Sequence, residues 1–171
     1  MKKNIFIGVL CAILAFGATS CNKDEKTDFE QKTDYLTTNR GWELTTATCN
    51  PPYELSIGAP ITNLFDGFLR ECEKDDRLHF RTNGSLVLDP GRDGQTAVNG
   101  NCQNSSEVSL GNWALSEDTR TIEPFYLPYY RNYRLKATVL VLNENTLTIS
   151  VPINEEDSGN SYVFTLSYKR N

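Results

Sequence analysis

Histidine is almost missing from this chain of 171 residues, with His79 its only example. Five cysteines are scattered along the sequence without the paired spacing that ligands need. Neither a thiol activated by a neighbouring imidazole nor a zinc site can be assembled from such a set. His79 also alternates with Leu78 and Phe80, which turns it away from the face they share. Basic blocks are lacking too, and the formal charge is −5, so nucleic acid and anionic lipid surfaces are poor partners. Long helical periodicity is missing from nearly all of the chain beyond residue 36. No cofactor is implied, and an enzyme is not expected.

What is present begins with an address. "MKKNIFIGVLCAILAFGATS" has two lysines, a twelve-residue apolar run from Ile5 to Phe16 and then small residues, the layout of a secretion signal over residues 1–20. A spanning helix needs about 20 apolar residues, and Thr19, Ser20 and the charges from Lys23 cut this one short. Ala18, Thr19, Ser20 and Cys21 resemble the bacterial lipobox, in which the cysteine is acylated and becomes the first mature residue. Ala18 replaces the usual leucine of that motif, and a plain periplasmic product is the alternative. Loss of Lys2 and Lys3 with the leader takes the formal charge from −5 to −7.

Residues 21–36 continue as "CNKDEKTDFEQKTDYL", polar and mixed in charge, which predicts a lipidated Cys21 followed by a flexible tether. Lys23, Asp24 and Glu25 resemble the lysine-plus-two-acids signal that exports Bacteroidetes lipoproteins to the cell surface. The expected location is therefore the outer membrane, with surface display. Residues 37–171 form one domain.

Within that domain short runs alternate apolar with polar between Gly and Asn punctuation, an all-β pattern. "NTLTISVPI" sets Leu147, Ile149, Val151 and Ile153 on one face, and "SYVFTLSYK" does the same with Tyr162, Phe164, Leu166 and Tyr168. Eight strands are predicted, at 41–49, 76–82, 84–89, 107–116, 120–127, 133–143, 145–152 and 161–169. A short helix lies between the first two, where Leu64, Phe65, Phe68 and Leu69 follow a capping Asn63. An up-and-down barrel and a two-sheet sandwich both satisfy this pattern.

"RGWELTTATCNPP", "ECEKDDRLHFRTNGSLVLDPG" and "GNWALSEDTRTI" together resemble the lipocalin-like domain of Bacteroidetes lipoproteins. The resemblance implies an eight-stranded, calycin-type barrel and leaves its activity open. It also implies that Trp42, opening the first strand, is covered by Lys169 or Arg170 from the end of the last. Once Cys11 leaves with the signal and Cys21 carries lipid, three cysteines remain, and three cannot all pair internally. The resemblance points to Cys72 with Cys102 and leaves Cys49 alone. Closing a loop of about 30 residues stabilises by roughly 3.5 kcal/mol in the chain-entropy model.

Two features bear on function. Glu73, Asp75, Asp76, Asp89 and Asp93 crowd one stretch, but the bidentate glutamate and regular oxygen alternation of a calcium loop are lacking, so they read as turn chemistry and no metal is expected. "EPFYLPYYRNYRLK" concentrates Tyr126, Tyr129, Tyr130 and Tyr133 beside Arg131 and Arg134, offering flat apolar faces, hydroxyls and guanidinium forks in a loop between strands five and six. With Tyr162 and Phe164 on the inner wall, these residues are the candidate site for a small apolar or amphiphilic ligand. The same bulky side chains could instead fill the interior. In that case an interaction module for a protein or glycan partner is the alternative.

Overall fold

The structure, a computed structural model, describes residues 25–54, 59–98, 101–125, 134–155 and 159–170. The leader, Cys21 and residues 126–133 lie outside this set. So do the expectations placed on Tyr126, Tyr129, Tyr130, Arg131 and Tyr133.

A helix α1 (Asp28–Leu36) precedes β1 (Trp42–Tyr53), β2 (Ile61–Asn63) and a one-turn helix α2 (Leu64–Gly67). There follow β3 (Arg77–Phe80), β4 (Ser85–Asp89), β5 (Gln95–Val98), β6 (Asn101–Asn104), β7 (Val108–Asn112), β8 (Thr121–Phe125), β9 (Leu135–Leu142), β10 (Thr146–Asn154) and β11 (Ser161–Lys169). The principal sheet runs β7-β4-β3-β1-β11-β10-β9-β8, every neighbouring pair antiparallel. Its two edges meet just past β7. The Trp113 amide bonds back to the Gly84 carbonyl (2.8 Å), whereas Ala114 and Glu123 exchange both backbone bonds (3.0 Å each) and Leu115 bridges Ile122. One stretch of chain thus leaves β4 for β8, and an eight-stranded up-and-down barrel results. Closing removes the unpaired strand edges that an open sheet would present.

The inner face is packed. Ile122, Phe125, Ala137, Leu147, Ile149 and Val151 are all 0% exposed, so no water-sized space borders them. Alternation along β10 and β11 puts the predicted rows inside. In β1 the alternation breaks: a bulge between Leu44 and Thr46 shifts the register by one residue. Trp42 and Leu44 point inward before it, and Ala47 and Cys49 point inward after it. Strict alternation from Trp42 would put Cys49 on the opposite face; the bulge brings it into the core.

The stretch read as a flexible tether is helical from Asp28 onward. Thr27 and Glu30 form a reciprocal cap, with the Glu30 amide donating to the Thr27 hydroxyl (3.2 Å) and the Thr27 amide to the Glu30 carboxylate (2.8 Å). Leu36, the one fully buried side chain of α1, docks the helix on the barrel end. Apolar contacts confined to Tyr35 and Leu36 at the end of a polar segment leave no periodic signal, which is why the sequence pattern missed it. The hairpin β5–β6, also unpredicted, pairs Gln95 with Asn104 through Val98 with Asn101. Cys72 and Cys102 are joined by a disulfide, and Cys49 is free.

Candidate functional site

The two ends of the barrel are built differently. At the end where β1 begins, the Arg170 guanidinium lies over the Trp42 ring, 4.2 Å from its centroid. The Trp42 indole N–H donates to the Leu36 carbonyl at 3.2 Å. Arg170 also donates to the carbonyls of Tyr35 and Glu144, Lys32 donates to that of Leu142, and the Thr119 hydroxyl bonds the Asp28 carboxylate (2.9 Å). Helix α1 is thereby stitched to the β7–β8 and β9–β10 turns. Gly41, at φ +70°, permits this junction: a Cβ there would stand 2.7 Å from His79 Nε2.

The opposite end gathers aromatic rings. Tyr53 lies 5.0 Å from Tyr162, 6.1 Å from Phe164 and 6.1 Å from Phe68, centroid to centroid. Their polar tips are tied at the rim, the Tyr53 hydroxyl to Glu155 (3.0 Å) and the Asn160 amide to the Tyr162 hydroxyl (3.1 Å). Beside them is a cleft of about 180 Å³ walled by Pro51, Pro52, Glu54, Pro60, Asn160 and Tyr162. Phe125 and Leu135, which flank residues 126–133, are buried and half-buried, and Arg134 is exposed. Tyr162 and Phe164 are only 2% and 4% exposed. They form the packed floor of the mouth.

Tyr53 was not singled out from the sequence, and Phe68 only as an apolar residue of the short helix, not as part of a site. The predicted first strand stops at Cys49 because Pro51 and Pro52 look like breakers, yet β1 runs to Tyr53. On one side it pairs with β11 only as far as Asn50; on the other, β2 touches it at Thr48 and Tyr53, leaving both prolines without a ladder bond to make. An aromatic directly after a proline pair, ahead of an "IT" run, is the one signal that could have marked it.

Cys49 stands inside the barrel just below this cluster, opposite Phe164 in the register. Burial, and secondarily the Glu155 charge, push its thiol up to about 11, and the Sγ donates to the Pro51 carbonyl (3.1 Å). A thiol held protonated is a poor nucleophile. His79 is on the outer face of β3 beside Gly41, with Nε2 3.5 Å from Asp89, and gives Cys49 no base. Among the described residues no three His, Cys, Asp or Glu side chains are placed to hold a metal ion. Of the acids that crowd the sequence, Asp75 and Asp93 are turn residues, whereas Asp89 ends β4 and faces His79, and Glu73 is buried in a short 3-10 turn. Asp75 accepts the Arg92 and Asp93 amides (2.7 and 3.3 Å) around Gly91, where a Cβ would meet the Asp75 carbonyl at 2.2 Å. Asp76 accepts from the buried Thr96 hydroxyl (2.7 Å).

Fold and ends together define an eight-stranded antiparallel barrel with one stoppered end and one aromatic mouth. The chain matches no protein-family model, and none of the curated proteins compared matches it. Among solved structures it is similar to bovine odorant-binding protein. A complex with undecanal superposes with a TM-score of 0.44 at 15% identity, covering 85% of this chain and 77% of that one. A complex with a selenium-containing odorant gives 0.45 at 14% over 86% and 77%. A deswapped triple mutant gives 0.43 at 14% over 80% and 74%. Such low identities and overlaps transfer no ligand to this chain.

Proposed function

We propose that this protein is an envelope lipoprotein, anchored through Cys21, whose barrel mouth binds one small apolar or amphiphilic molecule without catalysis. The observation that carries the reading is the asymmetry of the ends. Trp42, Arg170 and α1 stopper one, whereas at the other the half-buried rings of Tyr53 and Phe68 lie over the buried Tyr162 and Phe164, with hydroxyl and amide groups at the rim. A shallow seat of this kind suits an apolar tail carrying one polar head. The packed lower barrel limits the ligand to the mouth.

The test is titration with N-phenyl-1-naphthylamine, followed by competition with medium-chain fatty acids and alcohols. Saturable fluorescence enhancement, weakened by Tyr53→Ala, supports the reading. Absence of binding, together with no co-purifying small molecule in native mass spectra of protein from its own host, sinks it. The anchor is tested separately. Full-length Cys21→Ser should leave the membrane fraction and remain folded; if it still sediments with membranes after a high-salt wash, the lipoprotein assignment fails. Protease accessibility on intact cells separates surface display from a periplasmic position.

The filled interior favours a second reading, an adaptor that docks a protein or glycan partner. Leu140, Val141 and Val163 are 55%, 43% and 43% exposed on the outer wall. If the mouth binds no apolar probe and the tagged protein retains a defined partner that Val141→Lys releases, this reading replaces the first.

A further inference from the structure

A second depression, about 430 Å³ in volume, lies on the outer wall near the stoppered end and is independent of the mouth. Its sides come from two places: the α1–β1 junction supplies Thr37, Thr38 and Asn39, and the β3–β4 turn supplies Thr82 and Asn83. His79 and the backbone of β3 line it from below, and the Phe80 ring, buried on the other face of the strand, packs edge-on against Trp113 at 5.2 Å. Arg81 reaches Glu107 at 2.6 Å along the rim.

The chemistry of this wall is specific. Five of its nine lining residues, Thr37, Thr38, Asn39, Thr82 and Asn83, carry uncharged hydroxyls or amides, and its charges, Arg81 and Glu107, are a matched pair. Neither an anion nor a cation finds an uncompensated counter-charge there. Thr38 Oγ1 is buried without a hydrogen-bond partner among the described residues, whereas His79 Nε2 faces the Asp89 carboxylate at 3.5 Å; the groups open to a ligand are the exposed Asn39, Thr82 and Asn83 side chains. Helix α1 ends at this rim, and its carbonyl end disfavours anions further. We propose that the depression is a binding site for a neutral saccharide of one or two rings. The ring hydroxyls would exchange bonds with the Asn39, Thr82 and Asn83 side chains, and one sugar face would lie toward the His79 imidazole. Asn83 already accepts from the Ser85 amide and hydroxyl (3.0 and 2.7 Å), which fixes its amide for the ligand.

His79 is the only histidine and Trp113 one of two tryptophans, so both report the site without ambiguity. The experiment is an NMR titration of the ¹⁵N-labelled domain with maltose, lactose and glucose, with glucuronate as the charged control. The expected result is saturable movement of the His79 imidazole and Trp113 indole signals by a neutral sugar, with the Trp42 indole unmoved. Asn39→Ala and Thr82→Ala, both at exposed positions, should each weaken binding by about 2- to 10-fold, the loss of one hydrogen bond. Three outcomes overturn the proposal: no saturable shift up to about 50 mM sugar, well past a millimolar affinity; tighter binding of glucuronate than of glucose; or shifts that neither variant reduces. Failure of the apolar probe at the mouth has no bearing on any of them.

Discussion

Arg170 covers Trp42. The guanidinium carbon stands 4.2 Å from the ring centroid, and the same side chain ties the carbonyls of Tyr35 and Glu144. The residue immediately after β11 and the first of β1 are thus clamped with α1.

Removing that clamp should be costly. Arg170→Ala deletes a cation–π contact of about 0.5–2 kcal/mol and the charge-assisted bonds with it, so urea unfolding should show a loss of about 2–3 kcal/mol. Arg170→Lys keeps the charge but not the planar fork, and should recover less than half of the difference. An Arg170→Ala variant as stable as the parent would show that the stopper is ornamental.

Helix α1 gives a second prediction. Leu36→Ala empties a fully buried position and should cost about 2–5 kcal/mol. Thr27→Ala removes only the reciprocal cap and should cost about 1 kcal/mol. Hydrogen exchange distinguishes a docked helix from a free tether: amides of residues 31–36 should be protected in the parent and exchange fast in Leu36→Ala.

The thiols give a third. Non-reducing peptide mapping should recover a Cys72–Cys102 pair and one alkylatable cysteine, Cys49. Buried as it is, Cys49 should react with iodoacetamide slowly in buffer and rapidly in urea. Reduction opens a 30-residue loop and should lower stability by roughly 3.5 kcal/mol in the chain-entropy account.

Alkaline pH gives a fourth. Burial raises the Cys49 thiol to about 11 from an ordinary 9.0, and burial alone raises the Tyr168 hydroxyl. Both groups keep their protons in the folded state after the unfolded chain has lost them, so the unfolded state binds fewer protons and stability falls as pH rises. It should be flat through neutrality and decline from about pH 9, with a slope of at most about 1.4 kcal/mol per pH unit for each group. Cys49→Ala should make the decline shallower. A decline of equal steepness in that variant would place Cys49 outside the core.

Much of the barrel is legible in the residue order. All eight wall strands are readable because Leu147 to Ile153 and Tyr162 to Tyr168 alternate with period two, and because "TNGS" and "NEN" can only be turns. The mouth is less legible. Tyr53 is hidden behind two prolines, and Phe68 becomes part of the site only because α2 folds back onto β1. The tyrosine-rich loop, the strongest functional signal in the sequence, falls on residues outside the described structure.

The sequence alone determines the eight wall strands and the inward rows, because alternation of apolar side chains is a local property that water enforces on every half-buried strand. It also carries the composition that leaves a single histidine and no basic block. Only the tertiary structure decides that the wall closes through residues 113–116, that a bulge at Leu44–Thr46 swings Cys49 inside, and that a polar segment becomes a stopper by burying Leu36. Each of these depends on which distant backbone groups meet. A bulge moves every later side chain to the other face at the cost of one unpaired residue, and no local pattern announces where the chain will take it.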